Sequence, residues 1–509
     1  MNKLYPLLAL MWVAVSAASF ATASPQDPSG LKEKIEQACV ELDPQGVSLA
    51  VVKNGQVELT FSYGKRSAVT GQPMKNSSLY NIASLTKAFT AASIAKLVHD
   101  DSLEWEDKVT DYIPEFKLAD SYITRELNII DILAHRSGLS TFTGDLLWYQ
   151  TDYTNEQIIE RMSKLPVEND FRSEFGYQNN MYMIAGELIE RITGKTWARY
   201  LRDNFLDPLE MEDTYTSPGK LSPDANVAYP HYNEQQLDIY RFQAVKPAAS
   251  IYSNVEDLAR WVNMWLGEGK WQSKTIMEGQ ALEPCLAPHT LLDVSSAEKQ
   301  HGTRFNAYGL GWSISDHRGV KIVEHGGGMP GYLSRITMVP EQKLGIVILN
   351  NGFDLFIRQT IKNIVMDHYL EEWQEENWVE RSLEARKSYE ERQQQSRQKR
   401  LDQRVPNTSP ALSLDDYTGR YSDHFYGDAR VSMKDGDLHL SLLPASETFT
   451  SKMEHWHHNT FRVDFKDPFL PFGLITFDLD SKGRVSGFSI DLPSQDFHFQ
   501  NLYFKPKKE

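Results

Sequence analysis

Only two cysteines, Cys39 and Cys285, occur in 509 residues, which excludes a disulfide scaffold. One long-loop pairing and two separate thiols both stay open, and separate thiols are the simpler reading. Positive charge is also short. Against 69 Asp and Glu there are 53 Lys and Arg, a net charge of −16. That balance argues against a nucleic-acid or anionic-membrane partner, which calls for a basic patch. Beyond the N-terminus no apolar run is long enough to span a bilayer. No G-x-S-x-G is present, so the nucleophile-elbow hydrolases lack their main residue here. No Cys/His spacing suggests structural zinc.

What is present reads in segments. Lys3, an apolar stretch over 4–18 and Ala21-Thr22-Ala23 have the layout of a cleaved signal peptide. Residues 1–23 are therefore set apart, and a secreted or periplasmic protein without a stable membrane span is expected. Two strand patterns, 46–52 and 57–63, flank Asn54-Gly55, the strongest short hairpin signal. An apolar helical run follows over 88–97. Helical patterns dominate the middle, notably 181–193, stopped by Gly194. Strand patterns return at 311–315, 320–324, 333–339 and 344–350, and a helix begins near Asp354. The economical fold is α/β (α+β): an antiparallel sheet built from both chain ends, flanked by helices, with a helical insertion between them. This first domain spans 24–370.

Residues 371–404 contain neither glycine nor proline and carry opposite charges at helix spacing, such as Arg386/Glu390. They predict a solvated helical linker within 371–411. From 412 to 509 short alternating strands and turns predict a small antiparallel β-barrel domain. His455-Trp456-His457-His458 lies in it. Neighbouring strand residues face opposite ways, so a structural role is expected there rather than a metal site.

The chemistry starts at Ser84-Leu85-Thr86-Lys87, an S-x-x-K at the head of the apolar run. Residues three apart share a helix face, so Ser84 and Lys87 look into the same space, as an activated nucleophile requires. Ser84 also suits a helix N-cap, so the motif gains weight only from company. Tyr177-Gln178-Asn179 stands just before a helix, and His325-Gly326-Gly327 ends a strand. His135-Arg136-Ser137-Gly138-Leu139 follows a short helical pattern. Gly326 to Gly331 satisfies G-x-G-x-x-G, but Pro330 interrupts it and a strand follows where a helix is needed.

Together these motifs resemble the serine β-lactamase and penicillin-binding-protein superfamily, in the branch of class C β-lactamases, D-aminopeptidases and related esterases. Pro208-Leu209-Glu210-Met211, Tyr308-Gly309-Leu310-Gly311-Trp312 and Leu349-Asn350-Asn351-Gly352 add to the likeness, with Glu210 where the family usually has glycine. The C-terminal part looks like the lipocalin-like domain appended to some of these hydrolases. The resemblance implies Ser84 as nucleophile of an acyl-enzyme, with Lys87 or Tyr177 as its base. It implies Asn179, His325 and Gly327 as substrate-binding, and the backbone N–H groups of Ser84 and Gly328 as the oxyanion hole. No cofactor or metal is implied; the partner is a small-molecule, peptide or ester substrate. For Tyr177 to act as base its pKa must fall by about three units, ~4 kcal/mol, and one ammonium at about 4 Å supplies roughly that. Relatives that select a carboxylate usually carry Lys-Thr-Gly where this chain has histidine. A neutral His325 weakens such selection, and Arg335 is the candidate substitute cation. The expected activity is that of a serine hydrolase on a peptide, amide or ester, D-amino-acid peptidase- or esterase-like, with poor β-lactam turnover. β-Lactamase or D-Ala-D-Ala carboxypeptidase activity is the alternative, and a non-catalytic receptor for peptidoglycan fragments is a further one.

Overall fold

Asn54 and Gly55 both adopt positive φ, 51° and 79°, the twist that a two-residue hairpin loop needs. They join β1 (Gly46–Lys53) to β2 (Gln56–Gly64), with Lys53 opposite Gln56. The computed structural model describes residues 28–507 apart from 223, 301 and 371–376; the expected signal peptide and the start of the expected linker lie outside the described residues. Six further strands complete the main sheet: β3 (Thr290–Leu292), β4 (Asn306–Tyr308), β5 (Ser313–His317), β6 (Val320–Met329), β7 (Tyr332–Val339) and β8 (Leu344–Asn350). The order is β2-β1-β8-β7-β6-β5-β4-β3, antiparallel throughout. Val47 pairs with Asn350, so the two ends of the first domain do meet in one sheet.

The period of two along the central strands supplies both faces. Leu49, Val51, Ile346 and Ile348 pack under α1 (Pro28–Leu42) and a C-terminal helix, Ile357–Tyr369. Their neighbours Ala50, Val52, Val347 and Leu349 join the larger core, with Trp261 and Val262. That core takes in α2 (Thr86–His99), α3 (Asn179–Thr193) and α4 (Val255–Leu266); Ile357–Tyr369 is α5. Several boundaries differ from expectation: the strand expected over 320–324 runs on to Met329, and the helix expected over 88–97 covers Thr86–His99. The strand expected at 311–315 starts at Ser313 and runs to His317, because Gly311 takes a φ of 78° and turns the chain first. The helix expected from Met181 starts at Asn179, since two buried asparagines at its head do not register as an apolar period. Gly194 ends it at φ 68°. Glu210, at φ 56°, holds the left-handed conformation that glycine accepts most readily.

The connecting helix is α6 (Trp378–Asp402), with no buried residue. It is more than a solvated spacer. Arg386 donates to Asp354 at 2.8 Å and to the Leu42 carbonyl at 3.1 Å, and Arg400 reaches Asp491 at 2.9 Å. Eight antiparallel strands between Gly419 and Pro506 then close into a barrel. Eight strands leave an interior just wide enough for side chains, and Tyr421, Phe461, Phe477, Phe488 and Phe504 occupy it. The histidines expected to be structural hydrogen-bond locally: His455 with the His458 carbonyl, and His457 with the Val405 N–H. Among the described residues no group of three potential ligands could hold a metal. Cys39 and Cys285 are separate buried thiols.

The barrel docks on the helical insertion. Phe497 stacks on Tyr149 with ring centroids 3.9 Å apart. The Tyr149 hydroxyl donates to Asp467 at 2.6 Å, Tyr153 donates to the Tyr426 carbonyl at 2.7 Å, and Arg161 to the Phe425 carbonyl at 2.8 Å. One buried core runs through both domains. Phe497→Ala, which empties the stack, is expected to cost about 3 kcal/mol. Scanning calorimetry of the whole chain reads it as a lower midpoint, and unchanged melting contradicts an energetic role for this contact.

Candidate active site

Ala83–Leu85 makes a single 3₁₀ turn that runs directly into α2. The N-cap of α2 is Leu85, without a side-chain cap bond, so the Ser84 hydroxyl is not spent on capping. From Thr86 to Ala95 every residue of α2 is buried, and Lys87 is therefore carried into the interior at 0% exposure. Its Nζ donates to Ser84 Oγ at 3.1 Å, to Asn179 Oδ1 at 2.7 Å and to the Ala248 carbonyl at 3.0 Å. An ammonium has three N–H donors and all three are used. Burial lowers the lysine to about 7, only partly opposed by the charge of Asp145.

Ser84 lies beside the Tyr177 hydroxyl, and burial, only partly offset by that neighbour, pushes the hydroxyl above its ordinary value. This corrects the expectation that Lys87 brings Tyr177 near neutrality. Desolvation of the phenol is the larger effect, and the lysine beside it is itself half-neutral near pH 7. Tyr177 is held by its backbone, which donates to Thr141 and accepts from the Phe142 N–H. The next residue, Gln178, donates its N–H to His135 Nδ1 at 3.0 Å. The His135 motif is thus a buried support for this turn. Both ends of the Asn179 amide are occupied. Its carbonyl faces Lys87, and its NH₂ donates to Asp145 Oδ2 at 2.6 Å.

The opposite wall is β6. Strand β5 leaves it at the Ser313–Glu324 pair, so from His325 to Met329 one edge of β6 has no strand partner. Gly326 and Gly328 are exposed on this stretch. Gly327, expected on the substrate side, instead presses against the turn that carries Ser84. A Cβ there would lie 2.2 Å from Ser334 Oγ and 2.4 Å from the Ile82 carbonyl, so only glycine lets strand and turn approach this closely. His325 is 6% exposed. Its Nδ1 donates to the Gly326 carbonyl at 2.6 Å, and its Nε2 accepts from the Tyr308 hydroxyl at 2.9 Å. Burial, with Lys87 nearby, lowers it to about 3, so the ring is neutral. Arg335 is not the substitute cation. It is spent on Gln359 of α5 at 3.0 Å and on Glu324 at 3.4 Å.

Ser84, Lys87, Tyr177, Asn179, His325 and the exposed Gly326 and Gly328 therefore surround one space. Two participants were not singled out in the sequence. Tyr308, within the signature at 308–312, hydrogen-bonds His325 Nε2, while the acceptor-only Gly326 carbonyl at Nδ1 sets the tautomer. Asp145 follows Gly144 in a loop and resembles any turn aspartate, with no local signal to mark it. It is 2% exposed, and burial raises it to about 7. The grouping provides a hydroxyl, a buried amine able to lose its proton near neutrality, a phenol that keeps its proton, and an open strand edge.

A family model described as Beta-lactamase matches residues 33–364, and a domain of unknown function, DUF3471, matches 403–506. The chain is 26% identical over 332 residues to the unguisins hydrolase ungD of Aspergillus violaceofuscus, covering 60% of this chain and 58% of that protein. It is 24% identical over 327 residues to protein flp of Staphylococcus aureus, covering 63% and 62%. It thus spans about three fifths of the length of these curated relatives. A solved structure, the octameric penicillin-binding protein homologue from Pyrococcus abyssi, has the same fold: TM-score 0.60 at 20% identity, over 94% of this chain and 99% of that one.

Gly327→Ala tests the close approach of β6 to the turn that carries Ser84. Overpacking against a backbone carbonyl is expected to destabilise the chain by about 1–3 kcal/mol, read by denaturant unfolding. Stability equal to wild type contradicts the packing described.

Proposed function

The chain belongs to the beta-lactamase family, and from that membership we propose a serine hydrolase that forms an acyl-enzyme on Ser84 with a peptide, amide or ester. The observation that carries the proposal is the buried Lys87 Nζ, 3.1 Å from Ser84 Oγ and lowered to about 7. Neutral Lys87 takes the Ser84 proton as Oγ attacks the carbonyl carbon. The negative charge that develops on the carbonyl oxygen is held by the backbone N–H groups of Ser84 and Gly328. Tyr177, beside Ser84 and protonated at neutral pH, hands a proton to the leaving group and is replenished from Lys87. Water then attacks the acyl carbon and gives a proton to Lys87, and the Oγ–acyl bond breaks as Ser84 Oγ takes that proton back.

Substrate choice follows from His325. A neutral histidine, with both ring nitrogens engaged, supplies no cation for a substrate carboxylate. This favours D-amino-acid peptidase-, amidase- or esterase-like substrates over β-lactams and D-Ala-D-Ala termini. Residence in the cell envelope, secreted or periplasmic, belongs to the same proposal and is supported by the N-terminal signal pattern. A receptor that only binds peptidoglycan fragments has no use for an amine lowered to neutrality beside a free hydroxyl.

A fluorophosphonate probe is expected to label the purified protein and to fail on Ser84→Ala; no labelling of wild type removes the proposal. Acylation by p-nitrophenyl acetate is expected to fall as pH drops below about 7, because protonated Lys87 accepts nothing. Lys87→Ala is expected to slow acylation by about 10³-fold and Tyr177→Phe by about tenfold. The reverse ranking moves the base role to Tyr177. A chromogenic cephalosporin is expected to turn over far more slowly than the ester, and efficient β-lactam hydrolysis overturns the reading of His325.

A further inference from the structure

Asp145 lies outside every motif above, yet it ends a hydrogen-bonded chain that begins at the nucleophile: Ser84, Lys87, Asn179, Asp145. We infer that Asp145 is a positioning residue which, by pinning the Asn179 amide, aims the lone pair of neutral Lys87 at Ser84. The inference rests on the acyl-enzyme reading above.

Donors and acceptors around Lys87 decide which way its lone pair points. Lys87 Nζ has three partners: the Ala248 carbonyl, the Asn179 carbonyl and the Ser84 hydroxyl. A carbonyl only accepts; a hydroxyl donates or accepts. When Lys87 loses a proton it keeps two N–H groups and gains a lone pair. Both N–H groups are claimed by the two carbonyls. The lone pair is then left facing the Ser84 hydroxyl, the orientation a base needs. This holds only while Asn179 presents its oxygen to Lys87. If the amide turned over, its NH₂ would fill the lone pair and an N–H of Lys87 would point at Ser84. An amide has no strong preference between its two ends unless a neighbour imposes one. Asp145 imposes it here: its Oδ2 accepts the Asn179 NH₂ at 2.6 Å, and above about pH 7, where burial lets the carboxyl ionise, it is acceptor-only.

The ionisable groups facing Asp145 come from several elements. Lys87 lies on α2, and Asp496 on the barrel domain. The Tyr177 and Tyr240 hydroxyls are also within its electrostatic reach, and the Trp148 indole is beside it. Asp145 and Lys87 oppose each other directly: the carboxylate raises the lysine, and the lysine lowers the carboxyl. Loss of the carboxylate charge therefore leaves the lysine easier to deprotonate but less well aimed.

The test is pre-steady-state acylation by p-nitrophenyl acetate across pH 5–9, on the full chain. Asp145→Asn keeps the size and removes the acceptor-only constraint. Its limiting acylation rate is expected to fall by about tenfold, the population effect of one competing hydrogen bond. The half-saturating ester concentration stays unchanged, and the pH midpoint moves below that of wild type. The double variant D145N/N179D restores an acceptor-only oxygen toward Lys87, with the new amide at position 145 donating to the new carboxylate. It is expected to recover most of the lost rate, with the pH midpoint above wild type, because a carboxylate now touches the amine. A rate and midpoint for Asp145→Asn equal to wild type overturn the inference. So does a folded double variant no faster than Asp145→Asn or, should the single variant fail to fold, one without acylation. Fluorophosphonate labelling that survives Ser84→Ala would sink the acyl-enzyme reading instead, which keeps the two failures apart.

Discussion

The site depends on the desolvation of one amine. Moving Lys87 from an ordinary value of 10.5 to about 7 corresponds to roughly 5 kcal/mol of lost preference for the charged form. That cost is tolerable because three acceptors surround Nζ, and because α2 is packed on every side and gives the side chain nowhere else to go. Expose the amine and it is a permanent cation. Bury it without its acceptors and it is an unpaired polar group in a dry core. The position between these limits makes it both buried and titratable at neutral pH.

The surrounding architecture serves that environment. The turn with Ser84 and the helix with Lys87 lie against β6, and Gly327 lets the strand come close enough to wall the space. The helical insertion supplies Tyr177, Asn179, Asp145 and Ala248 from segments far apart in the chain. The barrel is part of the same assembly. Phe497 and Asp467 grip Tyr149, four residues beyond Asp145, and Asp496 faces Asp145 across the domain boundary. The domain that carries no catalytic motif thus bears on the electrostatics of the one that does. His325 marks the other limit of the site: burial, with Lys87 nearby, keeps it neutral.

Much of this was legible in the residues. The Asn54-Gly55 turn, the return of strands after the insertion, the proline- and glycine-free helix and the closed barrel all have local signatures. So do Ser84, Lys87, Tyr177, Asn179 and His325, because each sits in a short motif. Less legible were features decided by what packs around a residue. Arg335 looked like a spare cation, but the pairing of β6 with β7 and the cover of α5 give it to Glu324 and Gln359. Gly327 looked like a substrate contact, but its bare Cα faces the Ile82 carbonyl. Tyr177 looked like a group that a neighbouring ammonium would acidify, but the burial that makes it a neighbour also raises it.

The sequence by itself determined the kinds of groups available, their order along the chain and the secondary structure that presents them, because hydrogen-bonding type, helix spacing and strand alternation are local properties. Only the tertiary structure decided which of those groups are charged and which way their hydrogens point. Burial lowers Lys87, raises Asp145 and keeps His325 neutral, and the orientation of one amide, Asn179, is chosen by a carboxylate 34 residues away. Dielectric environment and donor–acceptor pairing belong to the packed neighbourhood, and no window of the chain contains that neighbourhood.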